Sequence, residues 1–222
     1  MRVARVPLGG GIGCLAFATM LGFGASPALA ERAGPGSTQA VAATRDVQSV
    51  ARWVRLSHDN RDAPFLIVDK HGARVFVFAA DATMTASAPV LLGAARGDQS
   101  VPGIGERQMN RIRPYERTTP AGRFVGEAGR NLQGEDVVWV EYDAAVSMHR
   151  VRATNPRERR LERLATPTPD DNRISYGCIN VPAAFFDAHI QPLFAGGRRT
   201  MIYVLPDSQP LRDVFPRVES AD

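Results

Sequence analysis

Phe65-Leu66-Ile67-Val68-Asp69-Lys70-His71-Gly72-Ala73-Arg74-Val75-Phe76-Val77-Phe78 is the stretch that decides the architecture. Two short runs of apolar, β-branched and aromatic residues flank a Lys70-His71-Gly72 turn, the pattern of a β-hairpin. Similar runs recur at Val90-Leu91-Leu92, Val137-Val138-Trp139-Val140, Val146-Ser147-Met148-His149 and Met201-Ile202-Tyr203-Val204-Leu205. Short strands separated by turns predict a mainly β domain with short helices, built as a β-sandwich or an open barrel.

Working outward, the period changes. Over residues 39–56, Val47, Val50 and Val54 recur at helical intervals with Ala43, Ala51 and Trp53 nearby, which predicts an amphipathic helix whose Trp53 and Leu56 pack on the domain. Pro182 opens a second helical stretch over residues 183–190. Two long segments lack periodicity. Residues 94–120 are rich in glycine, arginine and proline, and residues 153–174 in arginine, proline and aspartate. Loops of such length in a compact domain are usually functional or disordered. They are expected either to border a substrate groove or to be solvated insertions, the second with a short charged helix over residues 156–164. The Arg96-Gly97-Asp98 triplet is too short to signify adhesion.

The N-terminus reads as an address. Arg2 and Arg5 precede an apolar stretch over residues 12–23, and Pro27-Ala28-Leu29-Ala30 supplies an A-x-A cleavage site, as in a secretory signal peptide. The stretch is glycine-rich and shorter than the about 20 residues of a membrane span. The residues before Cys14 fit a lipoprotein signal poorly. The expected organisation is a signal peptide over 1–30, a linker and N-terminal helix over 31–60, a main domain over 61–206 and a C-terminal tail over 207–222. The product would be exported, periplasmic or wall-associated, with no transmembrane anchor after cleavage. Removing residues 1–30 takes the formal charge from +4 to +2 and leaves one cysteine, Cys178. The positive groups are almost all arginine, with Lys70 the only lysine, and a balance this mild is no argument for nucleic acid.

A lone thiol in an exported chain has no disulfide partner and risks oxidation. It is either a buried, inert cysteine or a reactive one. Its surroundings, Ile174-Ser175-Tyr176-Gly177-Cys178-Ile179-Asn180-Val181, suit chemistry. Gly177 permits a tight turn just before the thiol, and backbone N–H groups there can converge on a developing oxyanion. A free thiol ionises near pH 8.5, so a working thiolate needs a neighbouring base. Of four histidines, His58 and His71 lie in polar turns and His189 on the helix after the cysteine. His149 ends a strand in which Val146 and Met148 share one face and His149 takes the other.

Ser175-Tyr176-Gly177-Cys178-Ile179-Asn180 resembles the [ST]-H-G-C-h-N signature (h apolar) of the L,D-transpeptidase catalytic domain, the YkuD-type family. Thr119-Pro120-Ala121-Gly122-Arg123-Phe124 resembles that family's T-P-x-G-x-F stretch, and Met148-His149 its upstream histidine. The matches fall in the family's order within roughly residues 60–205. The resemblance implies a cysteine acyltransferase acting on peptidoglycan stem peptides. Cys178 would be nucleophile and His149 base, Gly177, Ser175, Tyr176 and Asn180 would form the active-site loop, and carbapenems would acylate Cys178. A wall-attached protein is a further possible acceptor.

Two departures stand out. Tyr176 replaces the family's usual histidine. His149 and Cys178 lie 29 positions apart, more than is usual, the excess falling in residues 153–174 as an insertion. Arg123, Arg150 and Arg152 are candidate carboxylate binders. The group that orients the His149 imidazole is not legible, though in the family a backbone carbonyl often serves. No metal-ligand spacing or phosphate loop is present, and no cofactor is expected. An L,D-carboxypeptidase, a protein-to-wall attachment or release enzyme, and an inactive wall-binding protein remain alternatives.

Overall fold

A computed structural model describes residues 42–218; the expected signal peptide and the start of the linker lie outside the described residues. Helix α1 (Arg45–Ser57) begins at Thr44, whose hydroxyl accepts from the Val47 N–H at 3.4 Å and donates to Asp69 at 3.2 Å. It ends at His58 in a left-handed turn. Val47, Val50 and Val54 are fully buried. Each such side chain contributes about 1.5–3 kcal/mol relative to exposure, which fixes the helix to the sheet. Trp53 packs edge-on against Tyr203, as expected. Leu56 instead points to solvent, 69% exposed, because the last helical turn runs past the sheet.

The hairpin forms as read: β1 (Phe65–Asp69) and β2 (Arg74–Phe78) pair antiparallel, Phe65 opposite Phe78. The next strand is not Val90-Leu91-Leu92 but β3 (Met84–Pro89), whose side chains are partly exposed and so give no apolar run. It is followed by the two-residue β4 (Leu92–Gly93). A nine-residue strand, β5 (Gly122–Arg130), escaped the sequence reading because it is interrupted by Gly126 and Gly129 and largely exposed. Then come β6 (Asp136–Glu141), β7 (Val146–Arg150), a short helix α2 (Arg160–Ala165), β8 (Arg173–Ser175) and β9 (Ile179–Val181). After α3 (Ala183–Phe185), which runs on as a single π turn over Phe186–Ile190, the chain returns in β10 (Thr200–Val204) and ends in α4 (Leu211–Val214).

Eight strands form one sheet in the order β3-β2-β1-β10-β5-β6-β7-β9, with β1–β10 and β7–β9 parallel and the other neighbours antiparallel. One apolar cluster gathers inward-facing side chains from both ends of this order: Val75 and Val77 of β2, Leu66 and Val68 of β1, Met148 of β7, Ile179 and Val181 of β9. A sheet whose ends share a core must curl. The closure is visible in the backbone. Where the chain leaves edge strand β3, Leu91 exchanges two hydrogen bonds of 2.9 and 2.8 Å with Asn180 of the opposite edge strand β9. The architecture is a mostly β, nearly closed barrel with a few short helices. A second cluster on the outer face seats α1 and the chain's end, with Phe215 and Val218 buried against Tyr203 and Met201.

A buried ion pair braces one end of the barrel. Lys70 is fully buried, and its ammonium donates to the Gly97 carbonyl, Asp98 and the Thr119 carbonyl at 2.6, 2.8 and 2.8 Å. Asp98 also accepts from the backbone N–H groups of Asp207, Ser208 and Gln209. The residues 94–120 thus form a pinned segment with three short 3-10 turns rather than a free loop.

Candidate active site

Met148 lies opposite Ile179 and His149 opposite Asn180 in the parallel β7–β9 pair. Alternation sends Met148 and Ile179 into the core, so His149 and Asn180 share the outer face; for His149 the sequence predicts this placement. Cys178 sits one residue before β9, half-buried. Its Sγ faces the Ser147 N–H at 3.5 Å, the Ser147 hydroxyl at 3.6 Å and the Ala145 carbonyl at 3.7 Å.

The imidazole is held from behind. His149 Nδ1 lies 2.8 Å from the Arg150 carbonyl, an acceptor only, so Nδ1 carries a proton and donates it. Nε2 faces forward and receives the Asn180 amide at 3.4 Å, while the same amide nitrogen donates to the Cys178 carbonyl at 3.3 Å. The orienting group is therefore a main-chain carbonyl within the strand itself. Burial is the largest influence on both groups and disfavours charge on each. Even so, the mutual attraction of thiol and imidazole prevails. Cys178 is held below the usual thiol range, helped by Ser147, and His149 above the usual imidazole range, helped by the Arg150 carbonyl.

The loop before Cys178 is built on side-chain clasps. Ser175 donates to the Cys178 carbonyl at 2.6 Å and accepts from the Gly177 N–H at 3.1 Å. Thr119, from the T-P-A-G-R-F stretch, accepts from the Gly93 N–H and donates to the Gly177 carbonyl at 2.9 and 2.8 Å. Because the Gly177 N–H is engaged by Ser175, it is not the oxyanion donor its position suggested. The N–H groups of Tyr176 and Cys178 make no hydrogen bond among the described residues. Gly177 adopts φ 127°, and a Cβ there would meet the Thr118 carbonyl oxygen at 2.8 Å. Gly177→Ala should destabilise the fold by about 1–3 kcal/mol and slow alkylation of Cys178 as the loop shifts. Thermal melts beside thiol-labelling rates would check this; an unchanged pair would mean the loop tolerates the side chain.

Tyr176 is half-buried, and the Arg117 guanidinium lies 3.8 Å above its ring, so it packs under the 94–120 segment rather than acting as a base. The three arginines proposed as carboxylate binders are occupied elsewhere. Arg123 pairs with Asp59 at 2.6 Å, beside the Tyr203 hydroxyl. Arg150 pairs with Asp187 at 2.6 Å and covers the Phe186 ring, because its side chain points to the face opposite His149. Arg152 meets Glu135 at 3.3 Å on the surface. The remaining histidines are remote in role: His58 pairs with Asp62, His71 is exposed in the hairpin turn, and His189 stacks on Phe185.

The residue that the sequence reading missed is Arg160, at the start of α2 in the insertion. It pairs with Glu158 at 2.5 Å and donates to the Asn180 side-chain carbonyl. The insertion is anchored at its far end too, where the buried Asn172 donates to the Val90 carbonyl at 3.1 Å. Nothing in the sequence separates Arg160 from the chain's other arginines. Among the described residues no cluster of three or more histidines, cysteines or carboxylates could hold a metal, and no helix is long and apolar enough to cross a membrane.

No family model and no curated protein matches the chain. Its structural neighbours are L,D-transpeptidase catalytic domains. The catalytic domain of the E. faecium L,D-transpeptidase is 15% identical, with a TM-score of 0.36, covering 65% of this chain and 98% of that one. The L,D-transpeptidase LdtMt1 in complex with imipenem is also 15% identical, at TM-score 0.36, with 64% and 59% covered. The helical cell shape determining protein Pgp2 from Campylobacter jejuni is 12% identical at TM-score 0.40, with 75% and 57% covered. The chain thus spans under two thirds of the last two.

Proposed function

We propose that the protein is an exported peptidoglycan L,D-transpeptidase that uses Cys178 as nucleophile and His149 as general base. The observation that carries this reading is a half-buried thiol and a carbonyl-oriented imidazole on one face of adjacent strands, each favouring the other's charge. The signature around Cys178 supports the substrate class.

In the first step Sγ attacks the carbonyl carbon between the third and fourth residues of a tetrapeptide stem, and His149 takes the thiol proton. The carbonyl oxygen becomes an oxyanion, for which the Cys178 and Tyr176 N–H groups are the candidate donors. Collapse breaks the C–N bond, and the imidazolium returns its proton to the departing D-alanine amine. In the second step an amine of a neighbouring stem attacks the thioester. His149 accepts its proton, an amide forms and the thiol is regenerated. No cofactor takes part. A protein amine in place of the stem amine gives wall attachment by the same steps.

The test is incubation of the purified protein with defined tetrapeptide muropeptides, read by mass spectrometry. A cross-linked dimer with loss of D-alanine is the expected product. Tripeptide without dimer would mean that water is the acceptor and the enzyme an L,D-carboxypeptidase. Absence of both, with retained affinity for peptidoglycan, would make it a binding protein.

A further inference from the structure

We infer that Arg160 is the specificity residue of this site and selects acyl donors that carry a free carboxylate beside the scissile bond. The inference rests on the reading above for its substrate, but the subsite itself stands on the side chains. Arg160 is the cation tied directly to the Cys178–His149 pair through Asn180, whose amide it fixes by donating to the carbonyl oxygen. With that oxygen committed to Arg160, the amide nitrogen is the end turned toward Nε2 of His149 and the Cys178 carbonyl.

The guanidinium is poised rather than satisfied. Its Nε is paired with Glu158 and one terminal nitrogen with Asn180, while Nη2 makes no hydrogen bond among the described residues. The side chain is only 14% exposed, so a carboxylate bound there would meet a weakly screened charge. Glu158 is the counter-charge in place, itself 33% exposed. Asn172 holds the insertion to the barrel through the Val90 carbonyl, and Arg163, which donates to the carbonyls of Glu158 and Asp171, ties the helix that carries Arg160 to the rest of the insertion. The insertion therefore presents a fixed cation one side chain, Asn180, away from His149 and the Cys178 backbone. The other arginines that the sequence offered for this task are paired away from it.

A donor ending at the residue to be released carries its carboxylate one residue beyond the attacked carbonyl. A longer or amidated donor does not. Arg160 would thus favour short stems with a free terminal carboxylate.

Two probes alkylate the same sulfur, each with loss of iodide: iodoacetate carries a carboxylate and iodoacetamide does not. The full protein, Arg160→Gln and Arg160→Lys are compared for the ratio of the two rates at one pH. The expected result is a ratio five- to tenfold lower in Arg160→Gln, roughly what one nearby charge supplies across a partly screened site, and largely restored in Arg160→Lys. Turnover of a tetrapeptide and its C-terminal amide would then show the same loss of discrimination in kcat/KM. An unchanged ratio in folded Arg160→Gln would overturn the inference and leave Arg160 as an anchor of the insertion. Should Arg160→Gln fail to fold, Arg160→Lys and the salt dependence of the wild-type ratio decide: a ratio insensitive to salt would likewise overturn it. A shifted ratio without turnover of either peptide would keep the carboxylate subsite and discard the transpeptidase reading.

Discussion

Cys178→Ala is expected to lower acyl transfer at least about a thousandfold, to background, because no other group near the site can form a thioester. His149→Ala should lower it about 100- to 10,000-fold while leaving the thiol in place. The two are separable by pH. In the wild type, alkylation of Cys178 should persist to lower pH than for a free thiol, since the imidazole favours the thiolate. Without the imidazole, burial acts unopposed by its main partner, and the midpoint of the alkylation profile should move upward. A midpoint that stays in place in His149→Ala would refute the base assignment. Carbapenem treatment read by intact mass should give one adduct on the wild type and none on Cys178→Ala.

The second large effect concerns folding. Asp98→Ala should destabilise the protein by about 3–5 kcal/mol, a drop in Tm of roughly 10 °C or more for a domain of this size. Burial by itself would push the Asp98 carboxyl up, but the hydrogen bonds from Lys70, Ser208 and Asp207 outweigh it and hold the carboxyl well below the usual range. Removing the carboxylate strands a fully buried ammonium and frees the strand of chain at residues 207–209. The sign for acid follows. A group whose folded pKa lies below its unfolded value near 4 stabilises fully above that pH. Its contribution fades as the pH falls toward the folded value. Melts from pH 7 to pH 3 should therefore show a steeper loss in the wild type than in Asp98→Ala. Parallel curves, or an unchanged Tm at pH 7, would remove the ion pair from the account of stability.

Much of this molecule was legible in its residues. Helix α1 announces itself because it buries one face, which leaves a helical period, and the hairpin, β6, β7 and β10 because they are largely buried, which leaves short apolar runs. The face taken by His149 was legible from alternation along β7, whereas its pairing with Cys178 was implied only by the resemblance. β5 was hidden because a strand exposed along most of its length need not be apolar. The contacts of Arg160 and of the Lys70–Asp98 pair were hidden for another reason. A long polar side chain is recruited by whatever the fold brings near it, and that proximity is tertiary. The carbonyl behind His149 belongs to the main chain and has no letter of its own.

The clasp between Leu91 and Asn180 has a consequence for when the thiol becomes active. The two residues are 89 positions apart, so their pairing is a non-local contact that forms only after a large loop has closed. Asn180 grips Leu91 with its backbone and addresses His149 with its side chain. A chain that is still unfolded, or only half assembled, holds a cysteine of ordinary reactivity. The sulfur meets its His149 partner only in the folded barrel, so assembly serves as a safety catch on the thiol.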